Sequence, residues 1–409
     1  MKHSILPLLA TSLVLVFIFS PLEIVGALGQ GDFKAYWSAS YLLVRSDNFA
    51  DPVQLLAVEQ EQGGHSGDYS IMTWNPPWML VLLAPLTTLP FRSAARLWLL
   101  FNICAVFTSA VLTWRLFTRR LSAGNPTIGQ ERMRYLAILA PLAVFAFQPT
   151  SLALIMGQIN TLVLIGLVIF LFLNQRGNTF QAGMALSLVM VKPHLVYVTL
   201  PLIMLWALLV RRWRIIAGFC ATLVLLMAIA YTLRPSFMGD YLQLVGREER
   251  LLLWHTPTLG GAIRELTGSG LGQYLGIVVL PLTVFIWYGR YRHVDPQVVV
   301  SVGTIISLTT APFGWSYDQV LLVIPIVQLL AFVYSSRASR LTQYLTLLAL
   351  VIVNSIAFYL RIHAESDVYF FWVVPVIGLI YWWAVQQERT PERAKLEEVD
   401  TAMPGRLAN

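Results

Sequence analysis

Charge is scarce in this chain. Asp, Glu, Lys and Arg make up only 12% of its 409 residues, against roughly 25% in a soluble domain, which excludes a chain whose whole surface faces water. Lysine is scarcer still: there are four, and two of them, Lys2 and Lys395, sit near the ends, leaving Lys34 and Lys192. The only two cysteines, Cys104 and Cys220, each lie within an apolar run, so no disulfide framework is implied. No Asp-x-Asp pair accompanies Asp32, and the six histidines are scattered at positions 3, 65, 194, 255, 293 and 363; no metal cluster is expected. Internal repeats and low-complexity tracts are lacking too, and with them the inverted repeats common in transporters.

What is present is apolar. Hydrophobic residues are 57% of the chain, and a membrane-crossing helix needs about 20 of them in a row. Residues 6–28 read as a first span, and about eleven further apolar stretches follow, separated by short polar breaks. The start of the chain has the basic-then-apolar look of a signal peptide but no convincing small-x-small cleavage site, so it is read as a retained helix. The expected class is an all-α polytopic integral membrane protein. It comprises one transmembrane domain over 1–387, an external first loop at 29–75 and a charged, disordered cytoplasmic tail at 388–409. The net charge of +7 reflects arginines in cytoplasmic loops rather than a nucleic-acid partner.

Arginine placement orients the chain. Arg211-Arg212-Trp213-Arg214, Gly289-Arg290-Tyr291-Arg292, Ser335 to Arg340 and the tail are expected inside. Spans then fall near 215–233, 271–288, 298–311, 319–334, 342–360 and 370–386, and 234–270, 312–318 and 361–369 lie outside. If Arg115, Arg119, Arg120, Arg132, Arg134 and Arg176 are also inside, 181–210 is a hairpin of two short helices with Lys192-Pro193-His194 at its outer apex, and 76–117 crosses only once. The alternative is a single kinked helix over 181–210, which places 118–134 outside against the charge bias. In the external loop, Ala35 to Val44 and Pro52 to Glu61 have the patterning of helices lying along the interface.

Polar residues of unusual type sit at the ends of the apolar runs. Asp32 follows the first span, in Gly31-Asp32-Phe33-Lys34-Ala35-Tyr36-Trp37; it suits a general base and equally an N-cap for the next helix. Lys192 lies in a long apolar run before a proline, where an ammonium is costly and functional by default; it suits a phosphate clamp with His194 beside it, or a side chain snorkelling to the interface. Gln158 and Asn160, in Gly157-Gln158-Ile159-Asn160, read as substrate contacts or as polar glue between helices. Tyr317 and Asp318 lie in the turn Pro312-Phe313-Gly314-Trp315-Ser316-Tyr317-Asp318-Gln319, where Asp318 suits either a helix cap or a sugar contact. His255, in Trp254-His255-Thr256-Pro257-Thr258, and the rigid Trp74-Asn75-Pro76-Pro77-Trp78 complete the set.

In this order, Asp-Phe-x-x-Tyr-Trp, Pro-Pro, Gly-Gln-x-Asn, Lys-Pro-His and Gly-Trp-x-Tyr-Asp resemble glycosyltransferase family 87, from Gly31 to about Leu322. One departure is Asn75, where the family usually has Tyr. The resemblance implies a GT-C fold with about 12 transmembrane helices, a polyprenyl-phosphate sugar donor and an active site at the outer face of a bacterial inner membrane. A hexose, by this likeness mannose, would pass with inversion to a hydroxyl of a lipid or glycan acceptor. Asp32 would be the base; Lys192 and His194 would lie near the donor phosphate, and Tyr36, Gln158, Asn160, His255, Tyr317 and Asp318 around the substrates. No cofactor is expected. A transporter or flippase of polyprenyl-linked sugars is the competing class, since it too places ionisable groups in the membrane.

Overall fold

The computed structural model describes residues 29–122, 143–246, 254–334 and 339–384. The expected first span, Arg132, Arg134 and the charged tail lie outside the described residues.

Every regular element among the described residues is helical. The segment 29–75 supplies α1 (Phe33–Val44) and α2 (Pro52–Glu61). The short α3 (Trp78–Leu83) runs into a 3-10 turn, Ala84–Thr88, ahead of the long α4 (Phe91–Ser122). Then come α5 (Gln148–Met156), α6 (Asn160–Gln175), α7 (Thr179–Leu186), α8 (Thr199–Leu209) and α9 (Trp213–Leu233). The C-terminal half holds α10 (Phe237–Val245), α11 (Leu259–Thr267), α12 (Leu275–Ile286), α13 (Pro296–Thr310), α14 (Val323–Val333) and α15 (Arg340–His363). A last helix, α16, lies within the apolar segment Asp367–Ala384.

Six helices among the described residues are long and apolar enough to cross a membrane: Phe91–Arg119, Trp213–Leu233, Gly270–Tyr291, Ser316–Val333, Arg340–His363 and Asp367–Ala384. A seventh crossing arises if the bent pair α5–α6 counts as one span, and four shorter apolar helices pack among them. The protein is thus a multi-pass membrane protein. Within 76–117, α4 alone has the length to cross.

The segment 179–212 is a hairpin, and a single contact shows why. Arg212, at its end, donates to the carbonyl and side chain of Asn174, just before its start. Entry and exit are therefore at one level, and Lys192 lies at the far turn. Close packing of α7 on α9 depends on glycine: a Cβ at Gly183 would lie 2.0 Å from the Ile215 carbonyl oxygen, and one at Gly218 2.1 Å from that of Phe180.

Following the helices from this level puts Arg211, Arg290 and Arg340 at one end of the bundle. The segment 29–75, the Lys192 apex and the turns 312–318 and 361–369 gather at the other. The central span, Ser316–Val333, is wholly enclosed, whereas Gly270–Tyr291 and Arg340–His363 present most of their surface outward.

α1 is buried on nearly all sides, with Phe33, Tyr36, Trp37, Ala39 and Leu43 in the core. Its small residues Ala35, Ser38, Ala39 and Ser40 are buried as well. The Ser40 hydroxyl is satisfied locally by the Tyr36 carbonyl at 2.8 Å. α2 stays at the surface, burying only Leu55 and Glu59.

Candidate active site

Two interruptions in helical structure make the site. The first is Gly157, where α5 and α6 meet at 120°. It has φ +67°, and a Cβ there would lie 2.2 Å from the Gly29 carbonyl oxygen, so only glycine fits. Trp98 Nε1 donates to the Gly157 carbonyl at 2.8 Å and Asn102 Nδ2 to that of Gln158 at 3.3 Å, satisfying backbone groups that the bend frees inside a membrane protein. Gly29 N and Asp32 N each donate to this bend, to Ile155 O and Met156 O at 2.8 Å. Those two bonds bring Asp32 against Gln158, 126 positions later.

The second interruption is at Lys192. Proline disfavours helical geometry in the residue before it, and Lys192 adopts φ −142°, ψ 71° between the 3-10 turns Ser187–Val191 and Pro193–Val196. The orphaned carbonyls find outside donors: Asn75 Nδ2 reaches Val191 O at 2.8 Å and Trp78 Nε1 reaches Met190 O at 3.0 Å. Asn75, the departure from the family pattern, thus caps the broken helix.

Between the two breaks lies a continuous polar network. Asp32 makes no capping bond to α1; its Oδ2 instead accepts from Gln158 Nε2 and from the Tyr317 hydroxyl, the latter at 3.1 Å. Gln158 Oε1 accepts from Lys192 Nζ and from the Tyr36 hydroxyl, both at 3.0 Å. An ionised carboxylate only accepts and an ammonium only donates, so the orientation of the Gln158 amide between them is forced. Lys192 Nζ also lies 2.8 Å from Asp318 Oδ1, with the two side chains 4% and 2% exposed. Asp318 further accepts from Asn160 Nδ2 at 3.2 Å and, through Oδ2, from Trp315 N at 3.0 Å. Burial pushes the Asp32 carboxyl above its ordinary value near 3.8, while Lys192 and the Tyr317 and Gln158 hydrogen bonds pull it back.

The network opens on a cavity of about 480 Å³. Asp32, Tyr36, Lys192, His194 and Tyr317 line it, whereas Gln158, Asn160 and Asp318 stand behind and hold those residues in place. His194 packs its ring 4.3 Å from that of Phe313, and its Nε2 is buried with no partner among the described residues. Beside these residues the lining is aromatic, with Trp315 stacked on Tyr317 at 5.9 Å. Trp254 contacts Trp74, Phe313 and Trp315 at ring-centroid distances of 5.8, 5.5 and 5.1 Å.

His255 is the sequence candidate that the fold leaves out. Its side chain is exposed and meets Glu265 at 3.1 Å; the neighbouring Trp254 takes the place in the wall. A turn displays alternate residues on different sides, and the sequence had no means of choosing the tryptophan over the histidine. Tyr241 of α10 is a second lining residue that the motifs did not reveal. Among the described residues no group of three His, Cys, Asp or Glu side chains is placed to hold a metal ion.

The model of glycosyltransferase family 87 matches residues 73–353. The matched stretch contains Gln158, Asn160, Lys192, His194, Tyr317 and Asp318, and Asp32 precedes it. No curated protein and no solved structure matches the chain. With more than half of its length matched, this multi-pass helical chain belongs to glycosyltransferase family 87.

Proposed function

We propose that this glycosyltransferase takes a hexose, mannose by family likeness, from a polyprenyl phosphate and passes it with inversion to a hydroxyl of a lipid or glycan acceptor. Its setting would be a GT-C arrangement of about twelve helices in a bacterial inner membrane, with the cavity on the extracytoplasmic side. The observation that carries this reading is the pairing, on one cavity wall, of an acidic group and a buried ammonium bridged by one amide. The side assignment is supported by the arginine-rich turns, which occupy the end of the bundle away from the cavity.

The chemistry follows from the charges. As the acceptor oxygen bonds to the anomeric carbon, its proton passes to Asp32 and the bond from that carbon to the phosphate oxygen breaks. Among the described residues both donors to Asp32 go to Oδ2, leaving Oδ1 for the acceptor hydroxyl. The donor is a phosphodiester with one negative charge; the departing polyprenyl phosphate gains a second. A cation beside it binds the transition state better than the ground state, which is the condition for catalysis. Lys192 has three N–H donors, and Gln158 and Asp318 take two of them. The third is available to the phosphate, with His194 alongside. The tryptophan wall offers apolar faces to the sugar rings.

The test is transfer by purified protein in lipid. Labelled polyprenyl-phosphate mannose should yield a labelled lipid or glycan product with a panel of acceptors, and a nucleotide sugar should not. Transfer from a nucleotide sugar alone would refute the donor assignment.

A further inference from the structure

The turn Trp315–Asp318 carries two side chains on which the proposed reaction depends, and a contact from much later in the chain fixes it. Ser316, between Trp315 and Tyr317, is fully buried. Its backbone N–H donates to Asp367 Oδ2 at 2.7 Å and its hydroxyl to Asp367 Oδ1 at 2.9 Å. Arg361 Nη2 donates to both the Ser316 hydroxyl and Asp367 Oδ1, at 2.5 Å each. A hydroxyl can donate once and still accept, so Ser316 bridges Arg361 and Asp367. One turn on, Gln319 Nε2 donates to the Phe370 carbonyl at 3.1 Å. The 3-10 turn Ser316–Leu322 is thereby stitched in register to the turn Asp367–Phe370 that opens the last span.

We infer that Asp367, oriented by Arg361, is a positioning residue for sugar transfer. Through Ser316 it sets the Tyr317 hydroxyl against Asp32 and the Asp318 carboxylate against Lys192. Neither Arg361 nor Asp367 lines the cavity, so each acts at one remove. Short hydrogen bonds make the lever sensitive. The Tyr317–Asp32 contact is 3.1 Å, and a slip of about 0.5 Å takes it past useful hydrogen-bond length. The Arg361 and Asp367 side chains are 34% and 18% exposed, and partly solvated pairs of this kind add little stability. Arg361→Lys should therefore leave the fold intact, whereas Asp367→Ala also strands the buried Ser316 N–H, so its rate is read per folded molecule. The inference rests on Asp32 being the base, as proposed above.

The experiment uses full-length protein in lipid, with Asp367→Ala, Asp367→Asn and the milder Arg361→Lys. It reads kcat, KM for the donor, the pH profile of kcat, and hydrogen exchange at the Ser316 amide. The ionisable groups facing Asp32 are Lys192, Asp318, Tyr317 and Tyr36. Losing the Tyr317 donor should destabilise ionised Asp32 and move the acid limb of kcat to higher pH. Asp367→Ala should lower kcat by roughly 10- to 100-fold, as small misplacements do, and leave donor KM near wild type. It should also move the acid limb in the same direction as Tyr317→Phe, with no further movement in the double variant. Asp367→Asn should be intermediate, and exchange at Ser316 should quicken in all three variants. Faster exchange with kcat and acid limb unchanged per folded molecule would overturn the positioning role. Retained activity in Asp32→Asn would instead sink the base assignment, and the exchange coupling would still be measurable.

Discussion

Replacing Asp318 by leucine would leave the Lys192 ammonium buried without its closest counter-charge. At 2.8 Å and an effective dielectric of about 20, the pair attracts by about 6 kcal/mol, much of it offset by the cost of removing both charges from water. Deleting one partner exposes that cost and typically destabilises by about 3–5 kcal/mol. Here the lower figure is expected, because Lys192 has a second anion within reach in Asp32, across Gln158. That rescue would neutralise the base, so Asp318→Leu should lose transfer even where it folds. Lys192→Met should be similarly destabilised, with Asp318 left unpaired. The double variant Lys192→Met/Asp318→Leu should recover part of the lost stability, since an apolar pair of similar volume is often tolerated. Recovery stays partial because Trp315 N and Asn160 lose an acceptor. The assay is thermal unfolding in detergent followed by tryptophan fluorescence, beside the transfer rate. Strictly additive destabilisation would show that the pair is not coupled, and transfer by the double variant would refute the role of Lys192.

Two further expectations concern pH and sidedness. Burial holds the Asp32 pKa above its ordinary value, so the rate should fall as pH drops through that raised value, at a higher pH than an exposed carboxylate would give. The stability sign is the reverse. The folded state favours protonated Asp32, so this group's contribution declines as pH rises from the ordinary carboxylate range through the raised pKa, and Asp32→Asn should unfold no earlier than wild type at neutral pH. For sidedness, in a background with Cys104 and Cys220 replaced by Ser, Ser66→Cys should react with an impermeant thiol reagent on intact cells. Gly289→Cys should react only after permeabilisation; labelling of both from one side would contradict the proposed orientation.

Much of this site was legible because polar groups within apolar runs are expensive. Lys192 was conspicuous for that reason, and Gln158, Asn160 and Asp318 as polar groups at the ends of apolar runs; the fold joins all four through hydrogen bonds. The hairpin around Lys192 was legible from arginine bias, and the contact of Arg212 with Asn174 gives its geometry. The layering of the site was not legible. Nothing in the spacing says that Asp318 stands behind Lys192 or that Gln158 relays between Asp32 and the ammonium, because both depend on how distant breaks meet. The burial of α1 on nearly all sides was not legible either, because an apolar face in a sequence does not say how many neighbours will cover the helix. Arg361 and Asp367 carried no signal in the sequence, since their partner Ser316 lies 45 and 51 positions away.

The most direct test of the central claim is the initial rate of sugar transfer from a polyprenyl-phosphate donor by Asp32→Asn. The amide keeps the size of the side chain but cannot take a proton at neutral pH. Removal of a general base typically costs roughly 10²–10⁴-fold, and the account predicts a loss in that range with donor binding and thermal stability retained. An Asp32→Asn enzyme that transfers sugar at the wild-type rate would contradict it.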